Sequence, residues 1–161
     1  QHLSVVLQRS LEFDGHNIKI INGSVSGSTT AGGLNIAEWT LSENNIDLMI
    51  LCLGANDMLR GINPKETKNN LEEIIQIAKN KNIKVIIAGM IAPTSYGFAY
   101  KKSFDKIFSD LSKKHKLQLI PFLLEGVAQN PKFNLSDGMH PNDQGTIIIG
   151  NTLKKAILEN L

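Results

Sequence analysis

Apolar runs of strand length alternate with amphipathic stretches of helix length along this chain, and that alternation narrows the folds open to it. Ile46-Asp47-Leu48-Met49-Ile50-Leu51-Cys52-Leu53 and Ile83-Lys84-Val85-Ile86-Ile87-Ala88 are almost continuously apolar. A strand with one wet face alternates apolar and polar residues. Runs like these belong to strands covered on both faces, as in a parallel sheet between helices. Ile18-Lys19-Ile20-Ile21 and Leu117-Gln118-Leu119-Ile120 read as two shorter strands. Helical patterns separate them. They run over 2–13, from 30 to about 42 with Leu34, Ala37 and Trp39, and over 64–80 with Leu71, Ile74, Ile75 and Ala78. They continue over 99–114 with Phe104, Ile107, Phe108 and Leu111, and after Pro141 with Ile147, Ile148, Leu153, Ala156 and Ile157 turned inward. The pattern predicts an α/β fold, a single domain over 1–161 with a parallel sheet and no linker or repeat.

Composition excludes several classes of function. The 161 residues suffice for one core, and 42% hydrophobic with 20% charged residues is ordinary for a globular protein. A net charge of +2, spread along the chain, gives no footprint for nucleic acid. No run is long and apolar enough for a membrane span. The one cysteine, Cys52, excludes an internal disulfide, and its apolar strand predicts a buried, inert thiol. The chain opens at Gln1 with no basic-then-apolar leader, and residues 3–11 read as a helix already under way. Either a leader has been removed or the sequence starts inside a domain.

In open parallel sheets, ligands bind beyond the carboxyl ends of the strands. The segments there are Asn22-Gly23-Ser24-Val25-Ser26-Gly27-Ser28-Thr29-Thr30, Gly54-Ala55-Asn56-Asp57, Gly89-Met90-Ile91-Ala92-Pro93-Thr94 and the long loop before the last helix. That loop holds Ser136-Asp137-Gly138-Met139-His140-Pro141-Asn142. A carboxylate three residues before a histidine can reach its Nδ1–H, which fixes one tautomer and frees Nε2 to take a proton. Gly138 permits the tight turn, and Pro141 biases His140 away from the α region. An ordinary surface turn fits the same spacing equally well. Gly27 can offer a backbone N–H and Asn56 an amide N–H, two donors suited to an oxyanion hole. Their plain readings are a glycine turn and a helix cap. The combination beside a D-x-x-H pair, all on one rim of the sheet, favours the hydrolytic reading.

Ser26-Gly27, Gly54-Ala55-Asn56-Asp57 and Asp137-Gly138-Met139-His140-Pro141 resemble the second, third and fifth sequence blocks of the SGNH (GDSL-type) hydrolases. Leu53 to Gly61 and Tyr96-Gly97-Phe98-Ala99-Tyr100 resemble the branch of arylesterases and thioesterase I/lysophospholipase L1. The resemblance runs from the first helix to the last. It implies a flavodoxin-like three-layer α/β/α sandwich that uses no metal and no organic cofactor. It implies His140 as general base, Asp137 as its orienting acid, and Gly27 and Asn56 as oxyanion donors. The substrate class is then a small acyl ester or thioester, with Met58, Leu59, Ile91, Pro93 and Tyr96 as apolar walls of an acyl pocket. Periplasmic or secreted placement also follows from the resemblance alone.

One block is absent. The family's first block, Gly-Asp-Ser followed by Leu or Tyr, carries the nucleophile, and no serine here follows Gly-Asp. Ser24, Ser26 and Ser28 read as turn and capping residues. In the family the first strand lies between the strands formed here by 18–21 and 46–53. Without it, two apolar strand edges go unpaired at about 1–3 kcal/mol per orphaned buried group. The expectation is a domain whose βα unit of about 20–30 residues, with the nucleophile, lies outside these 161 residues. Two functions follow: a serine esterase completed by that unit, or a binding module that kept the pocket and lost the chemistry. A flavin-binding flavodoxin or a phosphate-sensing receiver also fits the strand order, but leaves Asn56, Asp137 and His140 without roles.

Overall fold

A computed structural model describes residues 2–42 and 45–161. In chain order the elements are α1 (Leu3–Phe13), α2 (Thr30–Leu41), β1 (Leu48–Leu51), α3 (Ala55–Leu59), α4 (Pro64–Asn80), β2 (Lys84–Ala88), a 3-10 turn (Thr94–Tyr96), α5 (Phe98–His115), β3 (Gln118–Ile120) and α6 (Asp143–Leu158). They pack as two compact units, Gly23–Phe122 and the pair of segments Gln1–Asn22 and Leu123–Leu161.

The larger unit is built on a parallel sheet of order β1-β2-β3. Leu51 pairs with Ile87 and Ile87 with Leu119. Those side chains share one face, on which Leu51, Val85 and Ile87 meet Leu71, Ile74, Ile75 and Ala78 of α4 and Phe104, Ile107, Phe108 and Leu111 of α5 in one buried cluster. Each such side chain contributes about 1.5–3 kcal/mol on burial. Local chemistry sets the helix ends. Asn63 accepts from Lys65 N–H and Pro64 opens α4, where a missing N–H costs nothing. Lys116, in the left-handed region at φ 54°, ends α5, and Leu117 N–H then donates to Ser112 O at 2.9 Å.

Three expectations fail here: the strand at residues 18–21, the burial of Cys52 and the inward turn of Ile147. Residues 18–21 form no strand. The side chain of Gln8 serves them instead: its Nε2 donates to Ile18 O and its Oε1 accepts from Ile20 N–H, both at 2.6 Å. A primary amide carries one donor face and one acceptor face, so it satisfies two backbone groups that a neighbouring strand would otherwise take. Cys52 as a residue is exposed rather than buried, yet desolvation pushes its thiol up to about 11, so the thiol is inert as expected. Cys52 follows β1, an edge strand whose outer side has no strand partner among the described residues. Trp39 is 73% exposed because α2 turns Thr30, Ala37 and Leu41 inward. Ile147 is 51% exposed and Ile149 is buried in its stead.

The smaller unit packs α1 on α6. The buried stripe of α6 is Thr146, Ile149, Gly150, Leu153, Ala156 and Ile157, the 3.6-residue repeat of one helix face. A β-carbon at Gly150 would lie 3.5 Å from Val6 and 3.8 Å from Leu3 of α1, so the helices pack closely there. Lys154 donates to Ser10 Oγ at 3.0 Å and pairs with Asp14, tying α6 to the end of α1.

Candidate active site

The chain before α6 folds back on itself. Asn134 and Pro141 form an antiparallel bridge. Leu135 N–H donates to His140 O at 2.7 Å, and Asn142 N–H donates to Phe133 O at 2.9 Å. The Asn134 amide anchors the base of this hairpin by donating to Val127 O at 2.6 Å and Asn130 O at 2.8 Å. Asn142 then caps α6 by accepting from Gly145 N–H at 2.9 Å. Gly145 itself lets the hairpin lie against the helix, since a β-carbon there would strike Phe133 O.

Asp137 and His140 occupy the tip. One oxygen of Asp137 accepts from the N–H groups of Met139 at 2.9 Å and His140 at 3.0 Å. The other lies 2.6 Å from His140 Nδ1. An ionised carboxylate only accepts, so Nδ1 carries a proton, and in the neutral ring Nε2 then presents a lone pair. The His140 N–H, the His140 ring and the Met139 N–H together hold the Asp137 carboxyl down to about 2. Both side chains face solvent, His140 at 72% and Asp137 at 44% exposure.

That depressed value sets a pH window. A carboxyl whose folded pKa lies below its ordinary value contributes its contacts above that value and loses them as pH falls through the folded one. The hairpin tip should therefore hold its hydrogen bonds at neutral pH and lose them with a midpoint near 2, well below the ordinary 3.8. Following the Met139 and His140 amide resonances in an acid titration checks this. A midpoint at or above 4 would show that the three hydrogen bonds do not form in solution.

In the larger unit, β1 runs through Gly54 into the five-residue helix α3. Gly54 has φ +130°, a region L side chains rarely adopt, and the sharp turn it allows starts α3 close behind the strand. Asn56 and Asp57 lie on the first turn of α3. Asn56 is half-buried, and its Nδ2 donates to Ser28 O at 3.1 Å. One amide hydrogen is thereby used, and the second is left over. Ser28 N–H donates to Val25 O at 3.1 Å, closing a turn with Gly27 at φ +74° in its third position. Among the described residues the Gly27 N–H has no acceptor. Asn56 is thus tied to the residue that follows Gly27, and it does not cap α3, whose N-cap is Gly54. Thr29, not a serine, caps α2 by accepting from Gly32 N–H at 3.2 Å.

Asp57 received no role from the sequence. It is fully buried, and its carboxylate accepts from Thr30 N–H, Thr30 Oγ1 and Thr67 Oγ1. The only sequence signal is a carboxylate one residue after Asn56, close behind an apolar strand.

The apolar candidates all lie in the larger unit. Met58 packs on the core cluster. Leu59 and Ile91 are exposed. Pro93 is the N-cap of the 3-10 turn, and Tyr96 stacks on Tyr100 with ring centres 5.7 Å apart. Asp105 and Lys101 grip the peptide between Ile91 and Pro93. Ala92 N–H donates to Asp105 at 2.7 Å, and Lys101 donates to Ala92 O and to Asp105, each at 2.7 Å. Among the described residues no three His, Cys, Asp or Glu side chains group as metal ligands.

Residues 2–146 match the model of the GDSL-like Lipase/Acylhydrolase family. An arylesterase of Vibrio mimicus is 34% identical over 147 residues, 91% of this chain and 74% of that protein. The crystal structure of TesA aligns with a TM-score of 0.92 at 31% identity, over 99% of this chain and 88% of that one. That of AlinE4, an SGNH-hydrolase family esterase, aligns with a TM-score of 0.80 at 36% identity, over 98% and 85%. The SGNH-type α/β fold expected from the sequence is the fold of this chain.

Proposed function

Because this chain belongs to the GDSL-like lipase/acylhydrolase family of SGNH-type esterases, we propose that it is a serine hydrolase of carboxylic esters that works through an acyl-enzyme. Its substrates are short- to medium-chain acyl esters and aryl esters, extending to acyl thioesters and lysophospholipids. The observation that carries the reading is the 2.6 Å bond from His140 Nδ1 to Asp137, with Nε2 open.

In the reaction, a serine Oγ attacks the acyl carbonyl carbon and its proton passes to His140 Nε2. The oxyanion takes hydrogen bonds from the Gly27 N–H, the second Asn56 amide hydrogen and the serine's own N–H. His140 returns the proton to the departing alcohol or thiol. A water then attacks the acyl-enzyme, with His140 again as base, and frees the acid and the serine. Asp137 stays ionised throughout and steadies the imidazolium. Met58, Leu59, Ile91, Pro93 and Tyr96 wall the acyl chain, and the Asp105–Lys101 grip on Ala92 keeps the peptide beside Ile91 and Pro93 in place. No cofactor or metal takes part.

The nucleophile comes from a Gly-Asp-Ser segment outside residues 1–161, which also lays a strand beside β1. Three observations support this: no serine here follows Gly-Asp, β1 has a free outer edge among the described residues, and residues 18–21 lean on a side chain where a strand could pair. With that segment, 1–161 makes one hydrolase domain. Among the described residues no helix is long and apolar enough to cross a membrane. The family resemblance alone supports a site of action in the periplasm or outside the cell.

A chain-length series of p-nitrophenyl esters tests the substrate class. The full-length protein should turn over the short and medium members with the highest kcat/KM. Cleavage of peptides or phosphoesters, with every ester untouched, would refute the reading.

A further inference from the structure

We propose that Asp57 is a positioning residue that sets the spacing between the two oxyanion donors, Gly27 and Asn56. The inference rests on the proposed function, which makes those two groups the donors.

Asp57 and Asn56 are consecutive on α3, and together they grip Ser28 and Thr30, the two residues on either side of Thr29. Asn56 Nδ2 holds Ser28 O at 3.1 Å. Asp57 Oδ1 accepts from Thr30 N–H at 2.7 Å, and its Oδ2 accepts from Thr30 Oγ1 at 2.5 Å. Gly27 is the next residue up the chain from Ser28. The position of its N–H relative to the Asn56 amide is thus fixed by bonds on both sides of Thr29. A helix of five residues does not hold itself in place, and α3 has no side-chain cap. Asp57 supplies the anchor, because Thr67 Oγ1 of α4 also donates to its Oδ2 at 2.8 Å.

The bonds have a direction as well as a location. Asn70 Nδ2 donates to Thr30 Oγ1 at 3.1 Å, and Thr30 passes its own hydrogen to Asp57. A carboxylate accepts all three donors aimed at it; an asparagine cannot. With its Oδ1 on Thr30 N–H, an asparagine would turn an NH₂ group toward two hydroxyls that already point their hydrogens inward. Those hydroxyls must reverse, and the 28–30 segment shifts against α3. Such a shift misplaces donors that act on a developing oxyanion, while ground-state binding of the acyl chain is untouched.

A double-mutant cycle in the full-length protein tests this, with D57N, N56A and the double variant assayed on one p-nitrophenyl ester. N56A should lower kcat about 10²–10³-fold, as for loss of an oxyanion donor. D57N should lower kcat about tenfold or more with KM nearly unchanged, the penalty of misplacement short of removal. In the N56A background D57N should cost far less, because the donor it positions is gone. An equal D57N penalty in both backgrounds, or a change confined to KM, would make Asp57 merely structural and overturn the proposal. Full kcat in N56A would instead sink the oxyanion reading itself. If D57N does not fold, Thr67→Val removes the hydroxyl bond that ties Asp57 to α4 and completes the same cycle with the same signs.

Discussion

His140→Ala in the full-length protein is expected to lower kcat for ester hydrolysis about 10⁴–10⁶-fold, with KM changed little. In the proposed mechanism the imidazole takes the serine proton in acylation and that of water in deacylation, so its loss would slow both steps. Substrate binding does not require it. Stability should hold, because the His140 side chain is 72% exposed and buries little apolar surface. Asp137→Asn should cost nearly as much for a different reason. An asparagine that kept its oxygen on the Met139 and His140 N–H groups would turn an NH₂ toward Nδ1. The ring would then have to accept there and carry its proton on Nε2, the atom that must be free. Parallel kcat and KM measurements with thermal melts check both variants. A His140→Ala protein within tenfold of wild-type kcat would remove the histidine from the mechanism.

Residues 1–161 expressed alone are expected to show essentially no esterase activity and to fold poorly, while the full-length protein is active and stable. The two deficits have one origin. In the proposed function the nucleophile belongs to a segment whose strand would pair along β1, where the outer edge is open among the described residues. An open apolar edge costs stability and invites aggregation. Oxyanion donors without a nucleophile leave at most about 10³–10⁴-fold over water even in a complete triad enzyme. Side-by-side esterase assays and amide proton spectra of the two proteins decide the matter. A well-dispersed spectrum together with full activity from 1–161 would refute it.

What could be read from the sequence was whatever depends on near neighbours. Helix α4 is found where its cap, its opening proline and its apolar stripe put it, at Pro64–Asn80. The Asp137–His140 bond spans three residues, so spacing alone was enough to suggest it. Helix α3 has no periodic signal in the sequence because it is only five residues long. Residues 18–21 have strand composition, yet a strand exists only with a partner, and Gln8 takes that place. Asp57 was passed over because its donors, Thr30 and Thr67, lie 27 and 10 residues away. Only folding brings them together, and a buried carboxylate has no mark in sequence until they are known.

Covalent labelling with a serine-reactive fluorophosphonate tests the central claim most directly, because it marks the nucleophile itself. The full-length protein should take one label, on a serine outside residues 1–161 that follows Gly-Asp, and His140→Ala should label far more slowly. Peptide mapping by mass spectrometry locates the adduct. Stoichiometric labelling of Ser24, Ser26 or Ser28, or ester turnover by a protein that takes no label, would contradict the proposed mechanism.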